Sequence, residues 1–145
     1  MPEGDIDAMF PCKPSRLERP LTLAGTAVRM QLLSCSAGGV TYGLSHADLG
    51  DPGKVHAALT ELRNSAALNI GGTPQRIAAF EVPGMTPNPL AERVAVAGKG
   101  TDGAPLQEQA GFFSRGAHVY QATLFGATLD AEAAGTFFGG LKLPR

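Results

Sequence analysis

The sequence predicts an α+β fold, an antiparallel sheet of about seven strands with one long and one short helix. Three observations carry that prediction. Apolar and polar residues alternate with a period of two in seven separate stretches, and glycine-containing turn signals separate several of them. One long stretch changes to helical periodicity, and a second, shorter one near the end carries its own start and stop signals.

Residues 5–10 turn Ile6, Ala8 and Phe10 to one side, the pattern of a half-buried strand, and Pro11 and Pro14 stop it. Residues 12–20 are polar and proline-bounded, and read as a crossing loop. In residues 26–34, Val28, Met30 and Leu32 share a face. Ala37-Gly38-Gly39 then supplies a hairpin turn, after which Val40, Tyr42, Leu44 and His46 resume the alternation. These two runs are expected to pair antiparallel.

Asp51 and Pro52 read as the cap and first residue of a helix over residues 52–70, since a side-chain acceptor satisfies orphan amides and proline loses nothing there. Val55, Ala58, Leu59, Leu62, Ala66 and Ile70 form its apolar stripe, and Gly71-Gly72 can end it. Strands follow at residues 75–82, 92–98, 106–114 and 118–126, an antiparallel meander with turns at Asp102-Gly103 and Arg115-Gly116. Between the first two lies an irregular connection, residues 83–89, stiffened by three prolines. Asp130 caps a short helix through Phe138, Gly139-Gly140 ends it, and residues 141–143 can add a terminal strand.

No repeat, linker or low-complexity tract divides the chain, so residues 1–145 read as one domain. A chain of 145 residues with 43% hydrophobic residues buries roughly 70% of its unfolded surface, enough for a self-sufficient core. Twelve basic against thirteen acidic residues leave a net charge of −1, which provides no field to concentrate nucleic acid. No run approaches the ~18 apolar residues that span a bilayer, so direct insertion of this domain into a membrane is not expected.

The two cysteines, Cys12 and Cys35, lack a CxxC spacing and a histidine at metal-ligand spacing, which leaves a disulfide or two free thiols. Each ends a strand candidate, and pairing of those strands brings the Cα atoms within the ~4.4–6.8 Å that a bridge needs. A bridge implies oxidising surroundings. The opening Met1-Pro-Glu-Gly-Asp-Ile6 lacks the basic start and apolar run of a secretory signal, so export requires a leader beyond the sequence given.

Motifs that carry chemistry are sparse. Gly98-Lys-Gly-Thr-Asp-Gly103 spells a dinucleotide fingerprint, but Pro105 and an alternating strand follow where a helix must begin, so it reads as a glycine-rich hairpin. Ser45, His46 and Asp48 contain the letters of a catalytic triad, yet strand neighbours point to opposite faces. His46 and Asp48 do share a face, on which His118 or Tyr120 from another strand can join them. Phe112 and Phe113 must likewise point oppositely, which calls for a layer on both faces of the sheet.

Asp5-Ile-Asp-Ala-Met-Phe-Pro-Cys-Lys-Pro14, Val40-Thr-Tyr-Gly-Leu-Ser-His-Ala-Asp48, the alanine-rich helix ending Asn69-Ile-Gly-Gly72, and Phe137-Phe-Gly-Gly-Leu-Lys-Leu143 together resemble a group of uncharacterised bacterial exported proteins. Nearly the whole chain is covered. The resemblance implies a PsbP-like α/β/α sandwich and a lipoprotein or membrane-anchor leader, but its marks are packing and turn residues, so it brings no active site.

The reading is a non-catalytic exported domain, periplasmic or tethered to the envelope, that binds an unknown protein or small-molecule ligand there. No cofactor and no metal are expected. Candidate binding residues are Met85, Thr86, Pro87 and Asn88 in the proline-stiffened loop, with Tyr42, His46, His118 and Tyr120 on the sheet. The alternatives are a small hydrolase-like enzyme with a site assembled across the sheet, or a carrier of an apolar ligand between helix and sheet.

Overall fold

A computed structural model describes residues 6–143. Seven strands form one sheet: β1 (Ser15–Leu23), β2 (Thr26–Ala37), β3 (Val40–Asp48), β4 (Gln75–Ala79), β5 (Glu92–Lys99), β6 (Pro105–Arg115) and β7 (His118–Gly126). Their order is β1-β2-β3-β7-β6-β5-β4, and every neighbouring pair is antiparallel. Helix α1 (Val55–Asn69) packs on one face and α2 (Ala131–Gly139) on the other, so the chain is an α+β sandwich.

Alternation along the strands divides the core in two. Phe112, Val119 and Val94 face α1, where Val55, Ala58, Leu59, Leu62 and Ala66 supply the opposing stripe. Phe113, Tyr120, Leu124, Leu44 and Tyr42 face α2, against Phe137 and Phe138. The Phe112-Phe113 pair thus serves both layers, as its alternation predicts. Gly111 lies between Ala110 and Phe112 on β6 because a Cβ there would overlap the Phe80 ring, which covers the strand on the α2 face.

The expected hairpins form. Gly38 and Gly39 both take positive φ, the requirement of a two-residue turn matched to strand twist. In the dinucleotide-like stretch, Gly103 N donates to Gly100 O and Ala104 N to Asp102 Oδ1, closing the β5–β6 hairpin. Asp51 caps a single 3-10 turn (Pro52–Lys54) that leads into α1, so the predicted helix begins in a tighter form. Gly71, at φ 66°, ends α1 with Gly72 N donating back to Ala67 O.

Four expectations are corrected. The supposed loop over residues 12–20 contains most of β1, which pairs with β2 from Ser15↔Ser34 to Leu23↔Thr26. Pro20 is tolerated because β1 is an edge strand, where one missing donor leaves no ladder bond unmade. Conversely, the strand predicted at residues 5–10 is not in the sheet; Asp5 lies outside the described residues. Ile6, Ala8 and Phe10 do face inward, packing on the α2-side core, with Phe10 edge-on to Phe137. Their backbone meets only an isolated bridge, Asp7↔Lys142, which is also all that forms of the predicted strand at residues 141–143. The predicted strand at residues 75–82 stops at Ala79, after which Phe80 and Val82 turn into the α2-side core.

Cys12 and Cys35 are joined by a disulfide, with Cα atoms 6.0 Å apart. The bridge is as expected, but the strand pairing offered for it is not. It fastens the N-terminal segment across the end of β2, and Cys35 packs against the α2-side core. Among the described residues, no helix is long and apolar enough to cross a membrane.

Candidate ligand-binding site

The sheet residues singled out in the sequence divide into two places. His46 on β3 lies opposite Tyr120 on β7, and Asp48 opposite His118, so alternation brings His46, His118 and Tyr120 to one patch of the α2 face. His46 Nε2 and His118 Nδ1 are 2.7 Å apart, one ring supplying the proton. Tyr120 lies against His46 and stacks on Phe113, and Asp48 stands 4.0 Å from His118 Nε2. Tyr42 is not part of this patch. Four residues along the strand, about 13 Å away, it packs edge-on to Phe137.

The proline-stiffened loop is fastened to the fold by the residues that suggested recognition. Met85 is half-buried in the α2-side core. Thr86 N donates to Ser114 O and Thr86 Oγ1 accepts from Gly116 N, tying the loop to the β6–β7 turn. Asn88 Oδ1 accepts from Leu90 N. Pro87 stays exposed on the surface. Thr86 and Asn88 thus spend their side chains on backbone groups of the chain itself.

A groove of about 540 Å³ lies on the other face, between the C-terminal half of α1 and strands β1, β2, β3, β7 and β6. That volume is in the range of small-molecule sites. Leu21, Leu32, Leu62, Leu106 and Phe125 form apolar walls, and Ser45, Gln121, Thr123 and Glu108 place polar groups among them. A second hollow of about 530 Å³, lined by Gly71, Gly72 and Gln75, also reaches Glu108.

Each polar group is where strand period puts it. Glu108 is on the same face as Ala110 and Phe112, and lies opposite Phe125 on β7 and Val96 on β5. Gln121 and Thr123 share that face with Val119, and Ser45 with Ala47. The α1-side face therefore changes from an apolar half beneath the helix to a mixed half beside it, where polar groups sit among Leu32, Leu106 and Phe125.

Glu108 is the unusual member. Its residue is 8% exposed, and among the described residues no hydrogen bond or ion pair holds its carboxyl. Burial alone pushes that carboxyl up to about 7, because the charged form loses water and gains no compensating partner. By contrast Glu92, also buried, has Arg63 Nε 3.4 Å away. Sequence reading missed the groove, although one signal was present: a glutamate at an inward position of an otherwise apolar alternation. Comparison with protein-family models, curated proteins and solved structures found no match for the chain.

Proposed function

We propose that the chain is a non-catalytic, exported binding domain of the bacterial cell envelope, built on a PsbP-like sandwich, that holds a small molecule in the groove between α1 and the sheet. The observation that carries this reading is the groove itself, which combines apolar walls with a few inward polar groups, the composition by which binding sites gain both burial and orientation. The disulfide supports export, since such bridges persist in oxidising compartments. The mixed lining favours an amphipathic ligand over the purely apolar cargo of a carrier.

The gathering of His46, His118 and Tyr120 favours a second reading, a hydrolase-like enzyme. Among the described residues that reading lacks a serine beside the imidazoles: Ser45 and Ser114 belong to the α1-facing set, on the opposite side of the sheet from His46.

Binding of 1-aminoanthracene, a fluorophore uncharged at pH 6, tests the groove. Thr123→Trp fills it from the floor. The fluorophore is expected to brighten with wild-type protein and not with Thr123→Trp at unchanged far-ultraviolet dichroism. Equal brightening with both, or none with either, overturns the reading.

A further inference from the structure

The groove contains one charged side chain that is nine-tenths buried, and nothing in the described chain answers it. Such a group is costly to keep charged, because burial strips much of its water and no donor of the described chain replaces it. A ligand that donates to it removes that cost. The surroundings narrow the donor further. Leu106, two residues along β6, and Phe125, opposite on β7, are apolar neighbours on the same face, and Phe125 remains 37% exposed. The other charged groups of the groove lie on exposed residues: Arg19 on β1, and Glu61 on α1, whose carboxylate accepts from Ala24 N. Neither is buried with Glu108.

We infer that the groove takes a small organic cation, a primary or secondary amine carrying an apolar chain, with its ammonium on the Glu108 carboxylate and its chain along Leu106 and Phe125. The inference rests on the groove being the binding site, and it adds the chemistry of the ligand. Charge complementarity selects the class: the ammonium supplies both a positive charge and two or three donors to an acceptor that has none. Thr123, on the same face and diagonal to Glu108 across the β6–β7 pair, is placed to take a remaining donor.

Three probes of equal chain length separate the possibilities: hexylammonium, hexanol and hexanoate, each titrated into uniformly labelled protein at pH 8 while the amide signals of Gln121, Thr123 and Phe125 are followed. Hexylammonium is expected to saturate those signals about tenfold more tightly than hexanol, the difference a hydrogen bond to a charged group supplies. Hexanoate is expected to bind weakest. Glu108→Gln, which keeps the shape, is expected to remove the preference for the amine. A measurement on unaltered protein guards against a misfolded variant: hexylammonium affinity should fall on going from pH 8 to pH 5, as Glu108 takes up its proton, while hexanol affinity should not. Equal affinity for amine and alcohol, tighter binding of hexanoate, or an unchanged preference in Glu108→Gln overturns the cation assignment and leaves the groove as a site for another ligand class. Failure of all three probes to move the groove signals overturns the assignment as well, and the uncharged fluorophore then decides whether the groove binds anything.

Discussion

Single residues carry the clearest conflicts between local cost and global fold. Ala24 sits at φ 52° in the β1–β2 turn beside Gly25, a left-handed conformation disfavoured for an L side chain by about 1 kcal/mol, and its amide is held by the Glu61 carboxylate. Glu108 is the larger conflict. Its folded carboxyl holds a proton more tightly than the unfolded one, so the stability linked to it is full below the ordinary carboxylate range and is lost as pH rises toward and through about 7. Glu108→Gln removes that dependence. Urea unfolding is expected to find the variant more stable than wild type at pH 8, on the order of 2 kcal/mol, with the difference closing at pH 4. A constant difference at both pH values contradicts the account of that residue.

At the scale of elements, the N-terminal segment and β1 show what pattern reading can and cannot resolve. Alternation placed Ile6, Ala8 and Phe10 inward correctly, but the same period serves a sheet strand and an extended cover over a helical layer, and only the partners distinguish them. β1 escaped because it is an edge strand with Arg16, Glu18, Arg19 and Pro20 exposed; what blunts an edge against aggregation also erases the strand signal. Its salt bridge from Glu18 to Arg29 on β2 lowers the Glu18 carboxyl, through the hydrogen bond and the charge of Arg29, yet both ends stay in solvent. The N-terminal segment before β1 is held by the disulfide together with the packing of Ile6 and Phe10 and the Asp7–Lys142 bridge. Replacing Cys12 and Cys35 together by alanine is expected to lower stability by roughly 3 kcal/mol, the loop-closure value for a separation of 23 residues. Hydrogen exchange should quicken at Asp7 and Lys142, whose mutual bridge lies in the fastened segment, before it quickens in β6. Unchanged stability and exchange would show that Phe10 and Ile6 hold the segment alone.

Over the whole molecule, the two-layered demand of Phe112-Phe113, the helix stripe and the glycine turns were enough to place most of the sheet and both helices, because each is a local pattern repeated until one arrangement satisfies it. The groove was not legible in that way. Ser45, Leu62, Glu108 and Thr123 come from four elements, and only the strand order β3-β7-β6 under α1 brings them together. His46 and Tyr120 were suspected on residue type, and the β3–β7 register unites them while leaving Tyr42 apart. The proposed export is read from the disulfide, and the state of the two sulfurs in the cell reports the compartment. Cells that produce the protein natively can be quenched in acid and treated with a mass-tagged maleimide under denaturing conditions. No adduct is expected without reductant and two after reduction; two adducts without reductant would place the chain among reduced proteins and contradict its proposed place in the envelope.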